Sequence, residues 1–105
     1  MGLELFGNFS DLDWYKKNIG TIKSMVTELP SFVSQIDSDE FWLKTANSES
    51  SWDYDVRIFV RQNSFFIEVS IGSETFYSDV KTLIERISCV TKFSLINDDG
   101  ETFML

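Results

Sequence analysis

Chemistry in this chain would have to come from carboxylates. Seventeen Asp and Glu residues face nine Lys and Arg, there is no His, and Cys89 is the only thiol. Without His there is no His-assisted nucleophile and no ordinary zinc site, and one Cys allows no internal disulfide. A nucleophilic thiol prefers a helix N-terminus or a cationic neighbour. Cys89, between Ile87 and Val90 in the last turn of an apolar-striped segment, has neither signal, and packing is its expected role. Asp53 and Asp55 come closest to a paired acid and base. At i and i+2 on a strand they would share one face, pointing outward if Val56 points inward. Asn97-Asp98-Asp99-Gly100-Glu101 lacks the alternating ligands and distant Glu of a calcium loop and reads as a hairpin turn. The five glycines are scattered, so there is no phosphate-cradling loop. No catalytic residue, cofactor or metal is expected.

The elements that would position these groups follow from periodicity. With 105 residues, 43% of them apolar and 15% aromatic, residues 1–105 suffice for one domain with a real core. Leu12, Tyr15, Ile19, Ile22, Val26 and Leu29 recur at helical spacing and predict a helix over residues 10–29. Ser10 is its expected cap, and Gly20 its expected weak point. Pro30 ends it. Phe32, Val33 and Ile36 suggest a short second helix, and Phe41 to Thr45 a short strand. Val56, Ile58 and Val60 then alternate with Asp55, Arg57, Phe59 and Arg61. Phe65, Ile67, Val69 and Ile71 alternate with Phe66, Glu68 and Ser70. A two-residue loop at Gln62-Asn63 pairs Val60 with Phe65, Ile58 with Ile67 and Val56 with Val69. The other face pairs Arg57 with Glu68 and Phe59 with Phe66, and a shift by one residue would oppose apolar groups to charges. If a helix covers one face, the Phe59/Phe66 rings are partly shielded; exposed, they would form a contact patch.

Gly72-Ser73 marks a turn, and Thr75 to Tyr77 could add a short strand. Ser78 would cap a helix whose stripe is Val80, Leu83, Ile84 and Ile87, with Val90 extending it. Phe93 to Ile96 and Thr102 to Leu105 read as strands around the Asn97–Gly100 turn. The expected fold is α+β: an antiparallel sheet of about four to six strands. An N-terminal helix or helix pair over about 10–37 packs on it, and one helix is inserted between strands over about 41–105.

The net charge of −8 is segregated. Residues 37–55 hold Asp37, Asp39, Glu40, Glu49, Asp53 and Asp55 against Lys44, a balance of −5, and Asp98, Asp99 and Glu101 contribute −3. The first segment also holds Phe41, Trp42, Trp52 and Tyr54. Acids that steer and rings that supply desolvated area are the make-up of an interface against a basic partner. The plainer reading puts Trp42 and Tyr54 in a core, with the acids solvating a loop. Negative charge disfavours sequence-independent nucleic-acid binding. Nothing reads as a signal peptide or a bilayer-spanning run, and a lone Cys suits a reducing interior, so a cytoplasmic location without membrane association is expected.

Three features carry a family resemblance: Trp52-Asp53-Tyr54-Asp55 ahead of a strand, the strand Phe65-Phe66-Ile67-Glu68-Val69, and Asn97-Asp98-Asp99-Gly100-Glu101 near the end. In a short acidic chain they make it resemble the immunity proteins of bacterial polymorphic toxins, particularly those of contact-dependent growth inhibition. The resemblance implies a non-enzymatic protein, monomeric or weakly dimeric when free. It would neutralise a cognate toxin, often a basic nuclease, by occluding its active site or substrate groove. The expected contact residues are Asp37, Asp39, Glu40, Trp42, Glu49, Trp52, Asp53, Tyr54, Asp55, Asp98, Asp99 and Glu101. Alternative readings are an acidic nucleic-acid mimic that inhibits a restriction or CRISPR enzyme, and a small adaptor subunit that uses a free sheet edge.

Overall fold

The computed structural model describes residues 2–44, 54–70 and 76–103. Its centre is an antiparallel sheet of seven strands: β1 (Gly2–Phe9), β2 (Phe32–Gln35), β3 (Glu40–Leu43), β4 (Val56–Val60), β5 (Phe65–Ser70), β6 (Phe93–Ile96) and β7 (Thr102–Phe103). The spatial order is β2-β3-β4-β5-β1-β6-β7. Helices α1 (Leu12–Lys17), α2 (Ile19–Thr27) and α3 (Lys81–Ser88) complete the α+β domain, and a π-helical turn, Phe76–Val80, leads into α3.

The β4–β5 hairpin has the register that alternation demands. Val56, Ile58 and Val60 stand opposite Val69, Ile67 and Phe65, while Arg57 and Phe59 stand opposite Glu68 and Phe66. The Arg61 amide donates to the Ser64 carbonyl at 2.9 Å, which closes a two-residue turn at Gln62-Asn63. The first set faces the helices. Tyr15, Ile22, Val26, Leu29, Val80, Leu83 and Ile87 share one buried cluster with Leu5, Phe41, Leu43, Ile58, Ile67 and Leu95. At about 25 cal/mol per Å² of apolar area buried, this layer is the main favourable term of folding.

Several elements differ from the sequence reading. Residues 2–9 form an interior strand, because Leu3, Leu5, Gly7 and Phe9 alternate with Glu4, Phe6 and Asn8 and fill the space between β5 and β6. The long N-terminal helix is two helices broken at Asn18, whose Nδ2 donates to the Trp14 carbonyl at 2.8 Å; Gly20 lies beyond the break, in α2. Asp11 rather than Ser10 caps α1, its Oδ1 accepting from the Trp14 amide at 3.0 Å. Phe32 to Gln35 is a strand, not a helix: the chain turns back through Asp37 and pairs with β3, with an irregularity between Phe32 and Ser34. Phe76 and Tyr77 belong to the π-helical turn rather than a strand, and Ser78 lies inside that turn instead of capping α3. Val90 and Cys89 lie past the end of α3 and are exposed, so neither packs. Gly72, Ser73, Ile71 and Thr75 lie outside the described residues.

Two contacts tie the layers together. A Cβ at Gly7 would lie 2.7 Å from Phe65 Cδ1 and 3.1 Å from Phe93 Cε2, so only glycine lets these rings close over β1. The Tyr15 hydroxyl, on α1, lies 2.5 Å from the Arg61 carbonyl oxygen and 2.7 Å from that of Ser64, and its single proton serves both. Burial, with the Asp39 carboxylate adding to it, pushes this hydroxyl well above the ordinary tyrosine range.

Gly7→Ala should cost about 1–3 kcal/mol, since Phe65 and Phe93 must move to admit the methyl; chemical denaturation measures it. Tyr15→Phe should cost about 1–3 kcal/mol at neutral pH by leaving two carbonyls short of a donor. A phenol whose folded pKa is raised stabilises fully below its unfolded pKa of 10.0, and that contribution is lost as pH rises through the folded value. The difference in unfolding free energy between wild type and Tyr15→Phe should therefore be constant up to pH 9 and shrink above about pH 10.

Candidate protein-binding face

The register that sends Ile58 and Ile67 to the core sends a second set of side chains to the opposite face, on which no described helix packs. Across five strands this set forms two rows. One runs Trp42, Arg57, Glu68 and Glu4; the next runs Glu40, Phe59, Phe66, Phe6 and Ile96. The first is mostly charged and the second mostly aromatic.

Arg57 holds the rows together. Its Nη2 donates to Glu68 Oε1 at 2.6 Å, and Nη1 lies 3.8 Å from Glu40 Oε2. Its guanidinium carbon stands 4.8 Å from the Tyr54 ring centroid and 5.4 Å from that of Phe59. Burial works against the charge, but the Glu68 hydrogen bond and the nearby Glu68, Tyr54 and Glu40 hold its pKa above the usual guanidinium value. Its Nε–H is the one buried side-chain polar atom without a partner among the described residues. Glu40 also accepts from Trp42 Nε1 at 2.7 Å, and the Trp42 ring lies 4.9 Å from that of Tyr54.

Phe59 and Phe66 stack at 4.5 Å with an interplanar angle of 3°, and Phe6 continues the row 5.8 Å from Phe66. Arg61 lies 4.8 Å from the Phe59 centroid and 5.5 Å from that of Phe66. Stacking and guanidinium cover thus shield Phe59, while Phe66 is half-buried and Phe6 is 37% exposed.

The expected contact residues fall into distinct places. Glu40, Trp42 and Tyr54 come together on this face, and Trp42 and Tyr54 are half-buried there rather than sealed in the core. Asp37 and Asp39 lie in the adjoining β2–β3 turn. Asp37 Oδ1 accepts from the amides of Asp39 and Glu40, both at 3.0 Å. The Asp39 amide bond, followed by a side-chain hydrogen bond with Asp39, holds the Asp37 carboxyl below its ordinary range; that same side-chain bond raises Asp39. Asp55 does not point to solvent: it is buried, the one charged residue so placed among those described. Asp98, Asp99 and Glu101 are exposed in the β6–β7 turn, where Asn97 Oδ1 accepts from two amides and Gly100 takes φ +81°. That turn is at the far side of the sheet: β3 and β6 are four strand spacings apart, roughly 19 Å. The acids therefore form two corners, not one surface. Glu49, Trp52 and Asp53 lie outside the described residues.

Composition pointed to Trp42, Tyr54 and Glu40, but Glu4 and Phe6 escaped it. Their signal was the alternation of residues 3–9. Among the described residues, no group of three or more Cys, Asp or Glu could hold a metal ion, and no described helix is long and apolar enough to cross a membrane. The arrangement defines an α+β domain with one helix-covered sheet face and one amphipathic face. No family model, curated protein or solved structure matches the chain.

A double-mutant cycle of Arg57→Met and Glu68→Gln should give a coupling of about 1 kcal/mol, read from denaturation midpoints. The coupling should shrink in 1 M salt, because both side chains keep about a quarter of their exposure, at 27% and 28%.

Proposed function

We propose that this chain is a non-enzymatic binding protein of the immunity type. It would neutralise a basic bacterial toxin domain in the cytoplasm by covering its active site or substrate groove. The observation that carries the reading is the helix-free face. A sheet that leaves Phe6, Phe66, Trp42 and Tyr54 partly accessible, bordered by Glu4, Glu40, Asp37 and Asp39, offers desolvated area together with negative charge. A nucleic-acid-binding groove is the natural complement of such a surface. Carboxylates in two separated corners weigh against mimicry of a phosphate backbone, which needs a regular line of charge. One observation favours the adaptor reading: edge strand β2 exposes Val33 by 53%, and Ile36 just beyond it by 45%, where a partner's strand could add.

Co-expression with the cognate toxin domain tests the proposal. Growth should be rescued and a complex should copurify, with an association rate that falls about tenfold between low and physiological salt. Asp37→Asn with Asp39→Asn keeps the turn's acceptors and should slow association about threefold or more. Absence of protection and of a complex rejects the immunity role. Protection lost on Val33→Asp but untouched by the Asn pair moves the contact to the sheet edge.

A further inference from the structure

The middle of the helix-free face holds a second arrangement that the acidic segments do not include. Glu4 on β1 stands directly opposite Glu68 on β5, and one step along the strands Phe6 stands opposite Phe66. Like charges across an antiparallel pair repel, their Cβ atoms being about 5 Å apart. Glu68 is turned to the far side, held by Arg57. Glu4 is exposed and has no ion pair among the described residues. Glu40, Glu68 and Glu4 stand here against Arg57 and against Arg61, which lies over Phe59 and Phe66, and this part of the face is left at −1.

The molecule already shows how this face accommodates a guanidinium. Arg57 takes a carboxylate from the charged row, Glu68, and a ring from the aromatic row, Phe59. On β1 the same pair of groups recurs as Glu4 and Phe6, with the ring 37% exposed and no resident cation described over it. We infer that Glu4 and Phe6, beside the Phe66 ring that Arg61 already covers, form an anchoring site for an arginine side chain of a basic protein partner. Arginine fits better than lysine, because a planar guanidinium can lie on the ring while donating in its own plane to the carboxylate. The inference deepens the immunity reading and rests on it for the partner's basic character.

Isotope-labelled full-length chain titrated with tetra-arginine and, separately, tetra-lysine amide at low salt provides the test, followed by amide shifts. Saturable shifts should centre on residues 4–6 and 66–68, with tetra-arginine binding about threefold or more tighter than tetra-lysine. Glu4→Gln should weaken tetra-arginine up to about fivefold. Phe6→Ser should erase the preference for arginine, and native shift dispersion would show that both variants stay folded. Shifts confined to the turns at 37–40 and 98–101 overturn the site while leaving a basic partner in place. Equal affinity for the two peptides overturns the arginine assignment. Absence of saturable binding to either peptide at millimolar concentration overturns both the site and the basic-partner reading.

Discussion

The whole structure depends on the interior position of β1, between β5 and β6, and on its strict alternation. Its one edge pairs with β5 and its other with β6, so that Phe6 meets both Phe66 and Ile96. Without it the remainder is two pieces, a β2–β5 meander and a β6–β7 hairpin, neither joined to the other by backbone hydrogen bonds. Because the partners lie far along the chain, closing these pairs costs loop entropy that the local hairpins do not. Alternation then forces a choice on every strand: one residue to the helices, the next to the opposite face.

That opposite face is stabilised without a helix to cover it. Stacked rings and guanidinium groups over them contribute about 0.5–1.5 kcal/mol each, and the ion pair of Arg57 with Glu68 adds to this while remaining partly hydrated. Cover of this kind is uneven. It is thick over Phe59, between Arg57 and Arg61, and thin over Phe6. A face held in this way can exist in water and still lose water profitably to a partner, which a fully buried face could not do.

Local pairing was legible in the residues and distant pairing was not. The β4–β5 register follows from two adjacent runs whose charges and apolar groups match in one alignment only. The Asn97–Gly100 turn follows from a sequence that tolerates positive φ. Residues 2–9 carry a period-two pattern, but two glycines lower their strand propensity and no neighbouring run offers a partner. Phe32, Val33 and Ile36 fit a helix as well as a strand by spacing; pairing with β3 decided it. Of the candidate face, Glu40, Trp42 and Tyr54 were legible because rings and acids cluster in sequence. Glu4 and Phe6 were not, since they reach the face only through the β1–β5 pairing. Asp55 is buried against an expected outward side chain because it lies just before β4, where strand alternation does not set its side, with its amide bonded to the Leu43 carbonyl.

The separation of the acids into two corners changes what they can do for binding. Charge at 37–40 and at 98–101 acts over about a Debye length of 8–10 Å, shorter than the roughly 19 Å between β3 and β6. Each corner thus attracts a cationic partner on its own, and neither alone sets its orientation. Orientation has to come from short-range contact between them, on the strands that lie between the corners. β4, β5 and β1 occupy that interval, and they carry the stacked rings and the face's one guanidinium held by carboxylates. Long-range attraction and short-range registration are therefore divided between different parts of one sheet, turns for the first and strand faces for the second.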